Sequence, residues 1–430
     1  MQQSRRNFIK KAGNATLGLT ALAGFNPLYA ERVLTASKKI AHLSAKEAAK
    51  EEDFWYQVQK AFRQSPHFIN LESGYFSPQP VEVMESQFAN IKMINEQPSF
   101  YMRRRQWQDK QAIKEQLAQF AGVSADEIVV TRNTTESLDT IILGIDLKPG
   151  DEAIMCDQDY GSMLETFAMR ARRFGLKNVM VSLPLHPKND NEIVDLYEQA
   201  ITKKTKVILV THLINLTGQV LPVRKIADMA HAHGVEVIVD AAHSFAQLDY
   251  KIPDLGCDYY GASLHKWLCC PLGTGIMYIK KEKIAKTWPL FGDTGQPVDS
   301  IKKFEHIGTH PVSANLTIAA AIKFHNSIGS KRKEERLKYL KNYWIEQVKD
   351  LPRVIINTPS ADERSSALAN FAIEGMQPDE VADYLYDKHK IFTVSINRKA
   401  VKGVRVTPHL YTTLPELDLL VKAIRELSAA

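Results

Sequence analysis

The chain has 430 residues, 44% hydrophobic and 24% charged, which is the balance of a globular protein and excludes a disordered or fibrous one. Its formal charge of +6 falls to about +2 once Arg5, Arg6, Lys10 and Lys11 are set aside, so no nucleic-acid footprint is expected. The four cysteines, Cys156, Cys257, Cys269 and Cys270, lack metal-ligand spacing, and neighbouring Cys269 and Cys270 cannot bridge without strain, so buried free thiols are expected.

In chain order, Ser4-Arg5-Arg6-Asn7-Phe8-Ile9-Lys10 precedes a short apolar stretch from Ala12 to Phe25 and then Leu28-Tyr29-Ala30. Twin arginines, a short apolar region and a small terminal residue form a twin-arginine (Tat) export signal over 1–30. Gly13, Gly18 and Gly24 disfavour a stable basic helix, and the run is too short to span a bilayer. The expectation is passage through the Tat translocase, a cut after Ala30 and a periplasmic protein, although Leu28 is large for that cut. Residues 31–65 are charged and alanine-rich and read as an N-terminal arm.

From Glu127 onward strands and helices alternate. Glu127–Thr131, Asp151–Cys156, Val179–Leu183, Lys206–Thr211, Val235–Asp240, Tyr259–Ser263 and Gly275–Ile279 read as strands, with helices such as Thr134–Leu147 and Ser162–Phe174 between them. This alternation predicts an α/β domain over 66–310 with a mostly parallel sheet and helices on both faces. Past 311 a long helical stretch to Val348 leads into Val354–Ile356, Ala369–Ile373, a helix at Asp379–Lys388, Phe392–Ile396, Val404–Thr407 and a final helix at Glu416–Leu427. These predict a smaller α+β domain over 311–430.

Ligands on such sheets sit beyond the carboxyl ends of strands, and polar groups gather there. Asp240 closes an apolar strand, and Lys266 follows the next one, 26 positions on. That pair suits pyridoxal phosphate (PLP): the lysine amine forms a Schiff base with the aldehyde, and the carboxylate keeps the pyridine nitrogen protonated so that the ring can take up electrons. Asn133-Thr134-Thr135 opens a helix after a strand, where free N–H groups and hydroxyls cradle a phosphate or simply cap the helix. Tyr160 offers a ring for stacking, or a buried aromatic. Asn215 offers a partner for a phenolic oxygen, or turn chemistry. The cluster Phe100 to Trp107 places Arg103 where it would line the substrate entrance as a second anionic subsite, with a solvated basic helix face as the other reading of Arg104 and Arg105.

With Leu264-His265-Lys266-Trp267-Leu268-Cys269, Pro271, Gly273 and Gly275 in view, the chain over about 66–430 resembles the class V (cysteine desulfurase-like) aminotransferases of PLP fold type I, and within them the isopenicillin N epimerase-like branch. The resemblance implies that Lys266 is the Schiff-base lysine and proton shuttle, and that Asp240 pairs with the pyridinium. His243 would approach the ring hydroxyl, Tyr160 stack on the ring and Asn215 lie beside the ring oxygen. Thr134, Thr135, Ser263 and His265 would bind phosphate. It also implies a homodimer whose second subunit reaches the phosphate through Gly308-Thr309, and an Arg405 that clamps the substrate carboxylate. Cysteine desulfurases need a mobile thiolate in the later part of the chain, and no cysteine follows Cys270. A Tat substrate crosses the membrane folded, which suits a protein that loads its cofactor first.

The expectation is a PLP enzyme acting at the amine-bearing carbon of an amino-acid-like compound, read as an aminotransferase. Epimerisation and β-elimination share its first step, and a non-catalytic binding module on the same fold would have no need of Lys266. No metal is expected.

Overall fold

The computed structural model describes residues 28–293 and 295–429. The export segment expected over 1–30 lies outside them up to residue 27. The first described helix, Leu28–Lys39, runs across the expected cut, and the buried Ala30 donates its backbone N–H to a Glu82 carboxylate oxygen at 2.9 Å.

Seven strands form the large sheet: β1 (Ile128–Thr131), β2 (Glu152–Cys156), β3 (Lys177–Val181), β4 (Thr205–Thr211), β5 (Glu236–Asp240), β6 (Tyr259–Ser263) and β7 (Gly275–Ile279). Their order is β1-β7-β6-β5-β4-β2-β3, and β7 alone runs against the others. The central strands read as nearly continuous apolar runs because both their faces are covered. On β5, Val237 and Val239 enter one core while Ile238 enters the core on the opposite face; on β4, Ile208 and Val210 divide from Val207 and Leu209 in the same way. The protein therefore has the α/β architecture expected, a large mostly parallel sheet with helices on both sides.

A second sheet has the order β10-β11-β9-β8, all antiparallel, from β8 (Val354–Ile356), β9 (Ala369–Ile373), β10 (Val394–Asn397) and β11 (Lys402–Val406). Its own core joins Trp344, Phe371, Val404, Leu420 and Ile424. Two details depart from the sequence reading. The helix Val312–Ile328, expected in the smaller unit, packs Ile318, Ile322 and Phe324 into the larger core, and the change of core falls within the helix Ser330–Val348, between Leu337 and Leu340. The single strand expected at Phe392–Ile396 is two. Ile391–Phe392 pairs in parallel with Ile69–Asn70, and only Val394–Asn397 joins the second sheet. That short pairing draws the stretch after Asn70 alongside the end of β11, where Thr407 donates its N–H to Leu71 at 2.7 Å and Glu72 bridges to Thr407.

Candidate active site

The carboxyl ends of β1, β5 and β6 meet at one cavity of about 180 Å³. After β1, Asn133 caps the helix Thr134–Gly144 by accepting the Glu136 N–H at 2.9 Å. The Thr134 N–H donates to the Ser263 hydroxyl at 3.0 Å, and the two hydroxyls lie 2.7 Å apart. This close seating needs Gly275, because a Cβ there would stand 2.7 Å from the Asn133 nitrogen. The result is a helix N-terminus with the Thr134 and Ser263 hydroxyls beside it on the cavity lining, a seat for an anion.

At the end of β5, Asp240 is buried and accepts the Ala242 N–H at 2.9 Å. Burial raises its pKa, while the Ala242 bond and the Lys266 charge pull it back. Lys266 sits in the turn after β6, with its Nζ 3.1 Å from His243 Nε2. Burial lowers the Lys266 pKa to about 8 against the opposing pull of Asp240. Burial, reinforced by Lys266, pushes His243 well below its ordinary value, so its ring is neutral. An ammonium only donates, so Nε2 is the acceptor and Nδ1 carries the ring proton. That Nδ1 is buried with no partner among the described residues, as is the side-chain oxygen of Asn215.

Asp159, just past β2, turns inward instead. It accepts the Thr211 hydroxyl at 2.6 Å and the Cys156 N–H at 2.7 Å, and burial, with Asp240 nearby, raises its pKa to about 7. The next residue, Tyr160, faces the cavity.

Thr134, Thr135, Tyr160, Asn215, Asp240, His243, Ser263, His265 and Lys266, expected from separate stretches, all line this cavity. Two expectations differ, those for Arg103 and Arg405, whereas Thr309 is expected to act from a second subunit. Arg103 lies in the last turn of the helix Pro98–Arg104 with its side chain in solvent, away from the cavity. Thr309 is on an exposed loop and is not part of the cavity within this chain. Arg405 does reach the region, but its guanidinium is taken: Nη2 and Nε donate to the two Glu72 carboxylate oxygens at 2.5 and 3.2 Å, and Nη1 donates to the Asn215 carbonyl at 2.9 Å.

The residues the sequence reading missed come from one segment, Glu72 to Phe76. Tyr75 places its hydroxyl 2.8 Å from that of Tyr160 and its ring 5.6 Å from Lys266 Nζ. Phe76 stacks on His265 with ring centroids 5.9 Å apart. Gly74 permits the approach, since a Cβ there would lie 3.2 Å from the Thr407 hydroxyl and 3.6 Å from the Arg405 guanidinium carbon. The only signal in the sequence was an aromatic pair following a glycine in a stretch without strong periodicity.

These residues fit PLP. The Thr134–Ser263 seat suits a phosphate, the buried Asp240 suits a pyridinium nitrogen, and the Lys266 amine is poised near neutrality. The unpartnered His243 Nδ1 and Asn215 side-chain oxygen suit the ring's polar edge. Comparison with known proteins agrees. Isopenicillin N epimerase from Amycolatopsis lactamdurans is 26% identical over 396 residues, covering 87% of this chain and 98% of its own. A probable cysteine desulfurase from Halalkalibacterium halodurans is 29% identical over 327 residues, covering 70% of this chain and 78% of its own. A solved lysine-to-alanine variant of C-DES, with glycine covalently linked to its PLP cofactor, superposes with a TM-score of 0.77 at 22% identity, covering 86% of this chain and 99% of that one, a likeness that establishes the fold. The model of the aminotransferase class-V family matches residues 77–419, and the chain belongs to that PLP-dependent family.

Proposed function

We propose that Lys266 holds PLP and then moves a proton at the amine-bearing carbon of an amino-acid-like substrate, and that the overall reaction is transamination. When bound, PLP supplies an aldehyde for the amine and a ring that takes up electrons from the carbon losing its proton. Thr134, Thr135, Ser263 and His265 would hold the phosphate, Tyr160 the ring face, Asn215 and His243 the ring oxygen, and Asp240 the ring nitrogen.

The observation that carries this reading is the Lys266 amine, buried beside Asp240 and set near a pKa of 8. A base of that pKa both takes and returns a proton at neutral pH. His243, 3.1 Å away, is held neutral and does not compete for that proton. Transamination takes a proton from one carbon and returns it to another, which one amine can do. Epimerisation by opposed proton donors would call on Tyr75 or Tyr160 as the second group. The Tyr75 pKa is raised, first by its bond to Tyr160, so it is a reluctant proton donor. The relative named as an epimerase makes epimerisation the second reading. A persulfide-forming reaction has less support. All four thiols are buried, and burial raises the pKa of each.

The test is incubation of the PLP-loaded protein with D- and L-amino acids, and with their amides, in heavy water. Loss of the amine together with a keto product supports transamination. Deuterium at a retained, inverted α-carbon favours epimerisation, and no exchange with any of them sinks both. Export by the Tat route to the periplasm is proposed on the Arg5-Arg6 segment, and replacing both with Lys is expected to trap loaded precursor in the cytoplasm. A homodimer is proposed on the exposed loop bearing Thr309, with sedimentation as its check.

A further inference from the structure

We infer that Glu72 is a specificity-determining residue: it occupies Arg405 and turns the site away from free α-carboxylates, toward amines whose neighbouring carboxyl is amidated, such as the first residue of a peptide. This deepens the proposed function and rests on its reading of the cavity as the place where the amine reacts.

A guanidinium offers a carboxylate two bidentate edges, one through Nε and Nη2 and one through both Nη atoms. Glu72 fills the first edge with bonds of 3.2 and 2.5 Å, and the Asn215 carbonyl engages the second through Nη1 at 2.9 Å. Neither edge is open to an incoming carboxylate. The pair is held by the backbone as well as by its own attraction. One Glu72 oxygen also accepts the Tyr75 N–H at 3.0 Å, and Glu72 bridges to Thr407, two residues beyond Arg405. Both side chains are almost wholly buried, at 3% and 6% exposure.

The charge balance follows. Glu72 and Arg405 lie just behind the cavity lining, joined to it through Asn215, so with Arg405 neutralised a substrate carboxylate in the cavity finds no unpaired guanidinium beside it. An amide carbonyl brings no charge and needs only a single donor, which the second N–H of Nη1 can supply. The rim adds room for a longer substrate, because the cavity-lining rings of Tyr75 and Phe76 are 42% and 52% exposed.

The test uses propionate and propionamide, which carry no amine and so bind without reacting. Calorimetry on the PLP-loaded wild type is expected to find propionate bound no more tightly than propionamide. Glu72→Gln frees the guanidinium and is expected to raise propionate affinity at least tenfold, leaving propionamide within a factor of two. The double variant Glu72→Gln/Arg405→Gln carries no unpaired buried charge and is expected to lose that gain, which separates release of Arg405 from general loosening of the fold. Propionate bound tenfold more tightly than propionamide by the wild type, or a Glu72→Gln protein with an unchanged ratio, would overturn the inference. The visible absorption of the same samples reports cofactor separately. A wild type that takes up no PLP sinks the proposed function, while the ratio of the two affinities still decides what Glu72 does.

Discussion

The cavity wall built from the ends of β1, β5 and β6 and the second wall behind it, the Glu72–Arg405 pair joined to the cavity through Asn215, reach similar burial by different means. In the first, each polar group stands within a few residues of a strand end, so the strand itself aims it: Thr134 three positions past β1, Lys266 three past β6, Asp240 at the last position of β5. In the second, the contact joins residues 333 positions apart and depends on long-range backbone pairing, that of Ile69–Asn70 with Ile391–Phe392 and of Leu71 and Glu72 with Thr407. If, as proposed, the first wall serves chemistry and the second sets what is admitted, substitutions in the two should fail differently.

The largest effect is expected at Lys266. Lys266→Ala should abolish turnover and the visible band of lysine-linked cofactor, while a thermal melt and fluorescence still report a folded protein with loosely held PLP. Normal steady-state rates in that variant would end the reading of the first wall as catalytic. Asp240→Ala is expected to lower kcat by several orders of magnitude, because an unprotonated ring is a poor electron sink. A folded, PLP-loaded Asp240→Ala protein with near-wild-type kcat would show that the carboxylate serves packing alone.

Across the second wall the failure should appear as instability. Removing one partner of a buried ion pair leaves an uncompensated charge and costs about 3–5 kcal/mol. Arg405→Ala is therefore expected to destabilise the protein by about that much, read from the denaturant midpoint, whereas the exposed pair Arg224–Asp228, one turn apart on a helix, should lose only about 0–0.5 kcal/mol on Arg224→Ala. Equal losses at the two sites would mean that the Glu72–Arg405 contact carries no special weight. The same pairing revises what Arg405 does. A free arginine would discriminate acids from amides by itself, whereas on the inference above the discrimination passes through Glu72.

How far the sequence could be read follows the same division. The strands of the large sheet, its mostly parallel α/β class and the placement of nine cavity residues, Lys266 and Asp240 among them, were legible, because each depends on a strand pattern and a local cap or turn. Arg405 was identified as the right residue with the wrong partner, since its neighbour is set by a two-residue strand pairing too short to leave a periodic signal. Arg103 failed for a simpler reason. A cluster of cations and aromatics does not say which way its helix faces, and this one faces water. Tyr75 and Phe76 had no regular element to point them inward; the close packing of Gly74 against Thr407 and contacts with Glu72, Tyr160 and His265 do so.

A smaller effect tests the electrostatics of the first wall. The neutral lysine amine is the nucleophile, and burial sets the Lys266 pKa at about 8 instead of its ordinary 10.5. PLP uptake by the cofactor-free protein should therefore climb about tenfold per pH unit below 8 as the amine loses its proton, then level off above it. Stopped-flow absorbance over pH 6 to 10 checks this. A climb that continues toward 10.5 would mean that the amine is solvated like any surface lysine.

The smallest effect within the site is expected where the two walls touch, at the Tyr75–Tyr160 hydroxyl pair. The 2.8 Å bond joins a ring from the Glu72 segment to one standing just past β2, and it is the largest cause of the raised Tyr75 pKa. Tyr75 is 42% exposed, so water can replace the lost partner, and the net worth of such a bond is about 0.5–1 kcal/mol. Tyr75→Phe and Tyr160→Phe should each cost about that much, and the double variant about as much as either alone, because both remove the same bond. In kinetics the matching change is a roughly two- to fivefold rise in KM with kcat held, using 1.4 kcal/mol per factor of ten. A large fall in kcat for Tyr75→Phe would give the tyrosine a share of the proton transfer and bring epimerisation forward. Strict additivity of the two single losses would instead show that the hydroxyls act apart and that the walls are coupled only through Glu72 and Arg405.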